Sequence, residues 1–215
     1  MNLSSNLIIE TNKLSFKFKD EFILNNLNLK IEKGSIYGFL GPNGAGKTTT
    51  IRLLLGLLPS KNNTIKLFTE DLSSMNSTKV FSKIGSLIEH PSLYEHLSAW
   101  DNLEITRRLR NIDKQRMNEV LEMVNLTNAS KKLVKNYSLG MKQRLGLALA
   151  LISKPELLIL DEPINGLDPA GIIEIRELLL SLNKEQGITI FLSSHLLPEI
   201  EKLVTHLGIL NVSVR

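Results

Sequence analysis

Residues 41–48, Gly41-Pro42-Asn43-Gly44-Ala45-Gly46-Lys47-Thr48, gather three glycines, a lysine and a hydroxyl between two apolar segments. Small residues let successive backbone N–H groups turn inward around anionic oxygens, and a helix beginning at Lys47 would aim its positive end at the same point. The spacing GxxxxGK[ST] therefore describes a phosphate cradle. Lys47 would reach the β- and γ-phosphates of a nucleotide, and the Thr48 hydroxyl would ligate Mg²⁺. With Thr49 added, residues Gly41, Pro42, Asn43, Gly44, Ala45, Gly46, Lys47 and Thr48 form the candidate nucleotide-binding set. A bare glycine-rich strand-to-helix turn is the plain alternative, and the strand before the loop and helix after it weigh against that alternative.

A second constellation is Leu157-Leu158-Ile159-Leu160-Asp161-Glu162-Pro163. An apolar strand ending in two carboxylates delivers acids to the carboxyl edge of a sheet, where open α/β sheets bind ligands. Asp161 suits the Mg²⁺ shell, directly or through water, and Glu162 suits a general base for an attacking water. Alone, this would be a strand end with two solvated acids. Beside a phosphate cradle it points to hydrolysis of a nucleoside triphosphate, with Lys47 and Glu162 as candidate catalytic groups.

These groups need a scaffold, and the periodicity supplies one. Leu7 to Phe18 and Phe22 to Ile31 alternate as strands, and Ser35 to Leu40 reads as a short buried strand. Lys47 to Leu58 reads as a helix stopped by Pro59. Asn62-Asn63 marks a hairpin turn before Ile65-Lys66-Leu67-Phe68, and Val80 to Ile88 reads as another strand. The pattern is helical from Ser98 to Ser153, in the segments Ala99 to Arg110, Lys114 to Val124 and Leu139 to Ile152. Leu157 to Leu160 and Ile188 to Leu192 then read as strands flanking a helix from Ala170 to Asn183. The expected fold is α/β: a mostly parallel core, antiparallel strands near the start and a helical insertion in the middle.

Composition excludes several classes. The chain has 215 residues, 42% apolar and 22% charged, which suits one buried domain rather than a disordered or fibrous chain. The net charge of +4 is scattered rather than grouped in a basic block, so no nucleic-acid partner is expected. Cysteine is absent, which removes disulfides and thiolate metal sites. The start, MNLSSNLIIE, lacks the features of a signal peptide and favours the cytoplasm. The longest apolar run, Leu145 to Ile152, is far short of a membrane span, so any membrane role would be peripheral.

A third motif narrows the type. Tyr137-Ser138-Leu139-Gly140-Met141-Lys142-Gln143-Arg144 places a serine at a helix N-cap position with a glycine just inside. It resembles the signature sequence of ABC ATPases, usually LSGGQ followed by a basic residue and QR. Tyr137, Leu139 and Met141 depart from that pattern. The order of phosphate loop, helical insertion, signature, Asp-Glu strand, Gly166-Leu167-Asp168 and Ser194-His195 is similar to an ABC transporter ATP-binding subunit over nearly the whole chain. The fold implied is a P-loop NTPase core (ABC ATPase) with an antiparallel β subdomain and an inserted α-helical subdomain. The expected division is one domain, with residues 1–89 and 154–215 forming core and β subdomain and 90–153 the helical subdomain.

The resemblance implies further roles. Ser138 and Gly140 would contact the γ-phosphate of ATP held by a facing subunit, so that a dimer sandwiches two Mg-ATP molecules. His195 would contact the γ-phosphate as a switch histidine. Asp168 would lie at the dimer interface, although Asp before Pro is also an ordinary turn signal. Phe18 lies where the family stacks an aromatic on adenine, and Phe16 and Phe18 fit a core face equally well. Ile164 replaces a residue that is commonly Ser or Thr.

Glu89 stands where the family usually has a glutamine that joins the Mg²⁺ shell and senses the membrane partner. With the signature and EHPSLYEHLSAWDNL, this acid is similar to bacitracin-export and lantibiotic-immunity transporters, and a tolerated isostere is the alternative. The resemblance implies a peripheral ATPase subunit on the cytoplasmic face of the membrane, powering a separate permease that exports a peptide antibiotic. The alternative is a soluble ABC ATPase acting on ribosomes or DNA. The family usually continues beyond Asn211-Val212-Ser213-Val214-Arg215, so a C-terminal truncation is expected.

Overall fold

A computed structural model of the chain describes residues 6–73, 77–89 and 91–211. The opening residues 1–5, His90 in the stretch after Glu89 and the residues 212–215 lie outside them.

In chain order, the strands and helices begin with β1 (Leu7–Thr11), β2 (Leu14–Phe18), β3 (Glu21–Leu27), β4 (Lys30–Glu32), β5 (Ile36–Leu40) and α1 (Lys47–Leu54). They continue with β6 (Ile65–Leu67), β7 (Glu70–Asp71), α2 (Ser77–Phe81), β8 (Ile84–Leu87), α3 (Ala99–Arg110) and α4 (Gln115–Met123). The chain then forms α5 (Leu139–Leu151), β9 (Leu157–Leu160), α6 (Pro169–Gln186), β10 (Thr189–Ser194), α7 (Leu197–Ile200) and β11 (His206–Ile209).

Among the described residues, five strands form a parallel sheet in the order β11-β5-β10-β9-β8. Strands β4, β1, β6 and β7 make an antiparallel sheet, and β2 pairs with β3 as a separate hairpin. Because side chains alternate along a strand, β9 feeds two cores. Leu158 and Leu160 join the cluster under the helices, with Ile190, Leu192 and Leu147. Leu157 and Ile159 join Phe39, Phe191 and α1 on the other face. Both faces are covered, which explains why β9 is apolar throughout.

The inserted helices are fixed by their ends. Ser98 accepts from the Asp101 N–H at 3.1 Å while the Asp101 carboxylate accepts from the Ser98 N–H at 3.3 Å, a reciprocal cap for α3. Arg107 and Arg108 hold Glu104, whose carboxyl is drawn down to about 2 by hydrogen bonds from both guanidinium groups. Arg116 donates to the Leu151 carbonyl at 2.8 Å, so α4 closes the last turn of α5.

The structure corrects several sequence-based boundaries. Leu7 to Phe18 is two strands, because the chain turns at Lys13, φ 48°, and β1 and β2 enter different sheets. Phe22 to Ile31 likewise breaks at Asn28-Leu29, after which β4 enters a different sheet from β3. Helix α1 stops at Leu54, with Gly56 at φ 67° turning the chain before Pro59 is reached. Val80 and Phe81 belong to α2, and the strand begins only at Ile84. A short apolar run has no periodicity that separates these two outcomes. Strand β10 runs on through Ser193 and Ser194, two residues past Leu192.

Candidate nucleotide-phosphate site

Three neighbouring strands of the parallel sheet deliver the candidate residues to one edge. Strand β5 leads into the glycine loop, β9 into Asp161 and Glu162, and β10 into Ser193, Ser194 and His195. The Gly41 N–H donates to the Ser194 carbonyl at 3.2 Å, so the loop leaves the sheet under the control of β10. Pro42, Asn43 and Gly44 are exposed at the loop tip, while Ala45, Gly46 and Lys47 are buried.

Gly46 is the N-cap of α1 and has φ 102°. A Cβ there would stand 2.8 Å from Leu24 Cδ2 and 3.1 Å from the Ile23 carbonyl oxygen. Both the left-handed backbone and the close hairpin require glycine. Having no side chain, Gly46 gives α1 no side-chain cap; its carbonyl accepts from the Thr50 N–H at 2.8 Å, and the N–H groups of Lys47, Thr48 and Thr49 before it are left uncapped by any side chain.

Lys47 is 6% exposed. Its Nζ donates to the carbonyls of Gly41 and Pro42 at 2.7 and 3.2 Å and lies 3.2 Å from Glu162 Oε1. The other oxygen of Glu162 lies 2.8 Å from His195 Nδ1. Glu162 thus stands between the ammonium and the imidazole, with a left-handed backbone at φ 48°.

Thr48 Oγ1 donates to Asp161 Oδ2 at 2.7 Å, and Asp161 is 1% exposed. Ser193 Oγ donates to Asp161 Oδ1 at 2.6 Å and accepts from the Glu162 N–H at 2.9 Å. Thr48, Glu89, Leu139, Gln143, Asp161 and Glu162 line a cavity of about 230 Å³. Glu89 reaches its rim, with Oε1 2.6 Å from Arg52 Nη2. Among the described residues, no three acidic or histidine side chains gather to hold a metal ion. A hydroxyl and a carboxylate oxygen are hard donors, and they suit Mg²⁺, which takes few protein ligands and completes its shell with water and phosphate.

The other candidates lie apart from this cluster. Ser138 is exposed and caps α5, accepting from the Met141 N–H at 3.2 Å. Leu139, rather than Ser138 or Gly140, lines the cavity. Asp168 caps α6, accepting from the Gly171 N–H at 3.0 Å. Phe18 is 65% exposed on the hairpin whose Ile23 and Leu24 abut Gly46, whereas Phe16 packs against the core. Of two aromatics that sequence leaves equivalent, the structure offers Phe18 as the free ring.

Sequence alone passes over Ser193 and Arg52 and gives Gln143 no role beyond its place in the signature stretch. Gln143 is buried and donates to the Pro163 carbonyl at 2.9 Å, joining the signature helix to the turn after Glu162. Its sequence signals are its place at the QR of the signature stretch and its polarity on an otherwise apolar helix face.

Residues 24–165 match the family model described as ABC transporter. A second model, described as AAA domain, putative AbiEii toxin, Type IV TA system, matches residues 133–200, less than half of the chain. The sequence is 51% identical over 205 residues to the bacitracin transport ATP-binding protein BcrA of Bacillus licheniformis, covering 95% of this chain and 67% of that protein. It is 43% identical over 201 residues to the lantibiotic transport ATP-binding protein SrtF of Streptococcus pyogenes, covering 94% and 86%. The chain spans about two thirds of the length of the BcrA proteins it matches.

Among solved structures it is similar to cbiO1 of Clostridium perfringens, part of the ABC transporter complex cbiONQ, with TM-score 0.86, 26% identity and coverage of 97% and 88%. It also shares the fold of the cassette MJ0796 in a dimeric post-hydrolysis state bound to ADP and Pi, with TM-score 0.82, 23% identity and coverage of 96% and 97%.

Proposed function

Since this chain belongs to the ABC transporter family as an ATP-binding subunit, we propose that it binds and hydrolyses ATP to drive a separate membrane permease exporting a peptide antibiotic. The observation that carries this reading is the convergence of Lys47, Thr48, Asp161, Glu162 and His195 at one sheet edge. The names of BcrA and SrtF supply the substrate class.

The residues divide the work. Backbone N–H groups of residues 41–48 and the Lys47 ammonium bind the phosphates. Thr48 and Asp161 would hold Mg²⁺, with Glu89 at the rim; the cation would neutralise phosphate charge and orient the triphosphate. Glu162 takes a proton from the attacking water, and His195 keeps that carboxylate oriented and reaches the γ-phosphate. Phosphates entering the loop compete with Glu162 for Lys47, which releases the base as the substrate arrives. Phe18 stacks on the adenine.

Ser138 and Gly140, at the exposed start of α5, complete the site of a second copy, and Asp168 lies at that interface. Residues 1–215 act as one ATP-binding domain, with 90–153 as its helical subdomain. Among the described residues no helix is long and apolar enough to cross a membrane, so the spanning part is assigned to another chain, with this one peripheral on the cytoplasmic face.

The test is co-expression with a candidate membrane permease of the bacitracin- or lantibiotic-export type. ATPase activity stimulated by bacitracin or a lantibiotic, and protection of cells against it, are the expected results. Stimulation by ribosomes or DNA instead would move the protein out of transport.

A further inference from the structure

Ser193 lies near the carboxyl end of β10, which runs between β9 and β5, and is fully buried at 0% exposure. The parallel register sets Leu192 opposite Leu160, which carries Ser193 to the turn at Asp161 and Glu162. Its hydroxyl is used twice. The proton goes to Asp161 Oδ1 at 2.6 Å, and the oxygen accepts the Glu162 N–H at 2.9 Å. Asp161 keeps Oδ2 for Thr48. Glu162 is held at φ 48°, a conformation that residues with side chains adopt only under constraint.

A hydroxyl can give one hydrogen bond and accept another within a very small volume. Removing it, as in Ser193→Ala, would strip one partner from a buried carboxylate and another from the backbone of the general base. Both losses fall on the hydrolytic machinery, and neither lost bond is made to Lys47 or to the phosphate-facing loop.

We propose that Ser193 is a positioning residue for ATP hydrolysis, fixing which Asp161 oxygen faces Thr48 and the cation while anchoring the turn that presents Glu162. The proposal rests on the ATP-hydrolysing reading of the site. Ser193 itself contacts neither nucleotide nor water in this scheme. Engaging Oδ1 leaves Oδ2 as the oxygen for Thr48 and Mg²⁺, and pinning the Glu162 N–H sets the direction from which the carboxylate approaches the attacking water. Ser194, one residue on and the last of β10, serves the glycine loop instead, since its carbonyl accepts from the Gly41 N–H at 3.2 Å.

The experiment compares the parent chain with Ser193→Ala, Ser193→Cys and Ser193→Thr. Binding of a fluorescent ATP analogue is titrated with and without Mg²⁺, and steady-state turnover is measured on the same preparations. In the Ala and Cys variants, metal-free affinity should stay within about twofold of the parent, while half-saturating Mg²⁺ rises and kcat falls by about tenfold each, as for loss of a group that orients a metal ligand. Ser193→Thr keeps the hydroxyl and should recover most of both losses.

Ala and Cys variants with parental Mg²⁺ dependence and turnover would overturn the proposal, as would a Thr variant no better than Cys. If Ser193→Ala does not fold, the Cys and Thr pair decides alone. A parent that hydrolyses nothing removes the ATPase reading and this proposal with it. An active parent with indifferent variants removes only the proposal.

Discussion

Arg52 Nη2 stands 2.6 Å from Glu89 Oε1, tying the phosphate-loop helix α1 to the segment that follows β8. Both side chains are about half exposed, so the pair contributes about 1 kcal/mol of stability at most. Its importance is positional. Glu89 has a left-handed backbone, φ 55°, and lines the same cavity as Thr48 and Asp161. The carboxylate thus has Arg52 as its partner while it shares a cavity lining with Thr48 and Asp161.

Glutamine at this position would still accept from Arg52 but would remove the charge. A carboxylate strengthens Mg²⁺ ligation and also repels the γ-phosphate, two opposing effects that partly cancel. Glu89→Gln should thus change basal hydrolysis by less than about tenfold, or ~1.4 kcal/mol, while export or antibiotic protection falls further. Both are measured in one reconstituted complex. Equal losses would place Glu89 in the chemistry, and no loss in either would make it a tolerated isostere.

Glu162→Gln tests the base. The amide keeps its size and an acceptor oxygen but cannot take a proton, and it loses the charge that faces Lys47 at 3.2 Å. ATP binding should persist, turnover should fall by roughly 10²-fold or more, and an ATP-bound dimer should accumulate on size exclusion. Turnover within a factor of two of the parent would remove Glu162 from the role.

These two carboxylates illustrate what was legible in the sequence. Gly41 to Thr49 and Asp161-Glu162 are local motifs, in which a few consecutive residues set the backbone and its chemistry together, so they could be read from the sequence alone. Ser193 differs in kind. Its role arises from strand register, which brings it beside Asp161 across 32 residues of sequence. Arg52 and Glu89 meet across 37, and nothing in either segment announces the other. Val80 and Phe81 failed for a different reason, because a run of apolar residues carries no period from which to choose helix or strand. Phe18 was separable from Phe16 only once β2 and β3 had paired and packed one of the two rings partly against the core.

Gly85 offers a test of the scaffold that avoids the site. A Cβ on it would stand 2.3 Å from the Ala150 carbonyl oxygen and 2.7 Å from Leu158 Cδ2. Helix α5, which carries the signature at its start, lies against β8 through two missing side chains, Gly85 and Gly146, a Cβ on the latter falling 2.9 Å from Leu87 Cδ1. Gly85→Ala must push backbone against backbone, which costs about 1–3 kcal/mol. For a chain of this size, the expected fall in Tm is about 2–4 °C per kcal/mol. A calorimetric Tm equal to that of the parent would show that α5 does not pack so closely on β8.

The last expectation concerns assembly. Lys47 is buried in the phosphate loop, whereas Ser138 lies exposed at the start of α5, and it is Leu139 that turns into the chain's own cavity. Ser138 is therefore free to face a second copy, with the N-terminus of α5 directed at that copy's triphosphate. If each site pairs one chain's Lys47 with the other's Ser138, then Lys47→Ala and Ser138→Arg chains damage opposite halves. A mixed dimer then holds one site with both defects and one with neither. Mixing the two inactive variants should restore part of the parental ATPase activity, up to about one quarter if heterodimers form at the statistical half and each intact site turns over independently. Because strict cooperation between the sites would mask this recovery, the decisive measurement is the ATP-bound dimer itself, trapped with Glu162→Gln and crystallised. A γ-phosphate contacted by Lys47 of one chain and Ser138 of the other is the expected result, and both contacts coming from a single chain would overturn the shared-site arrangement.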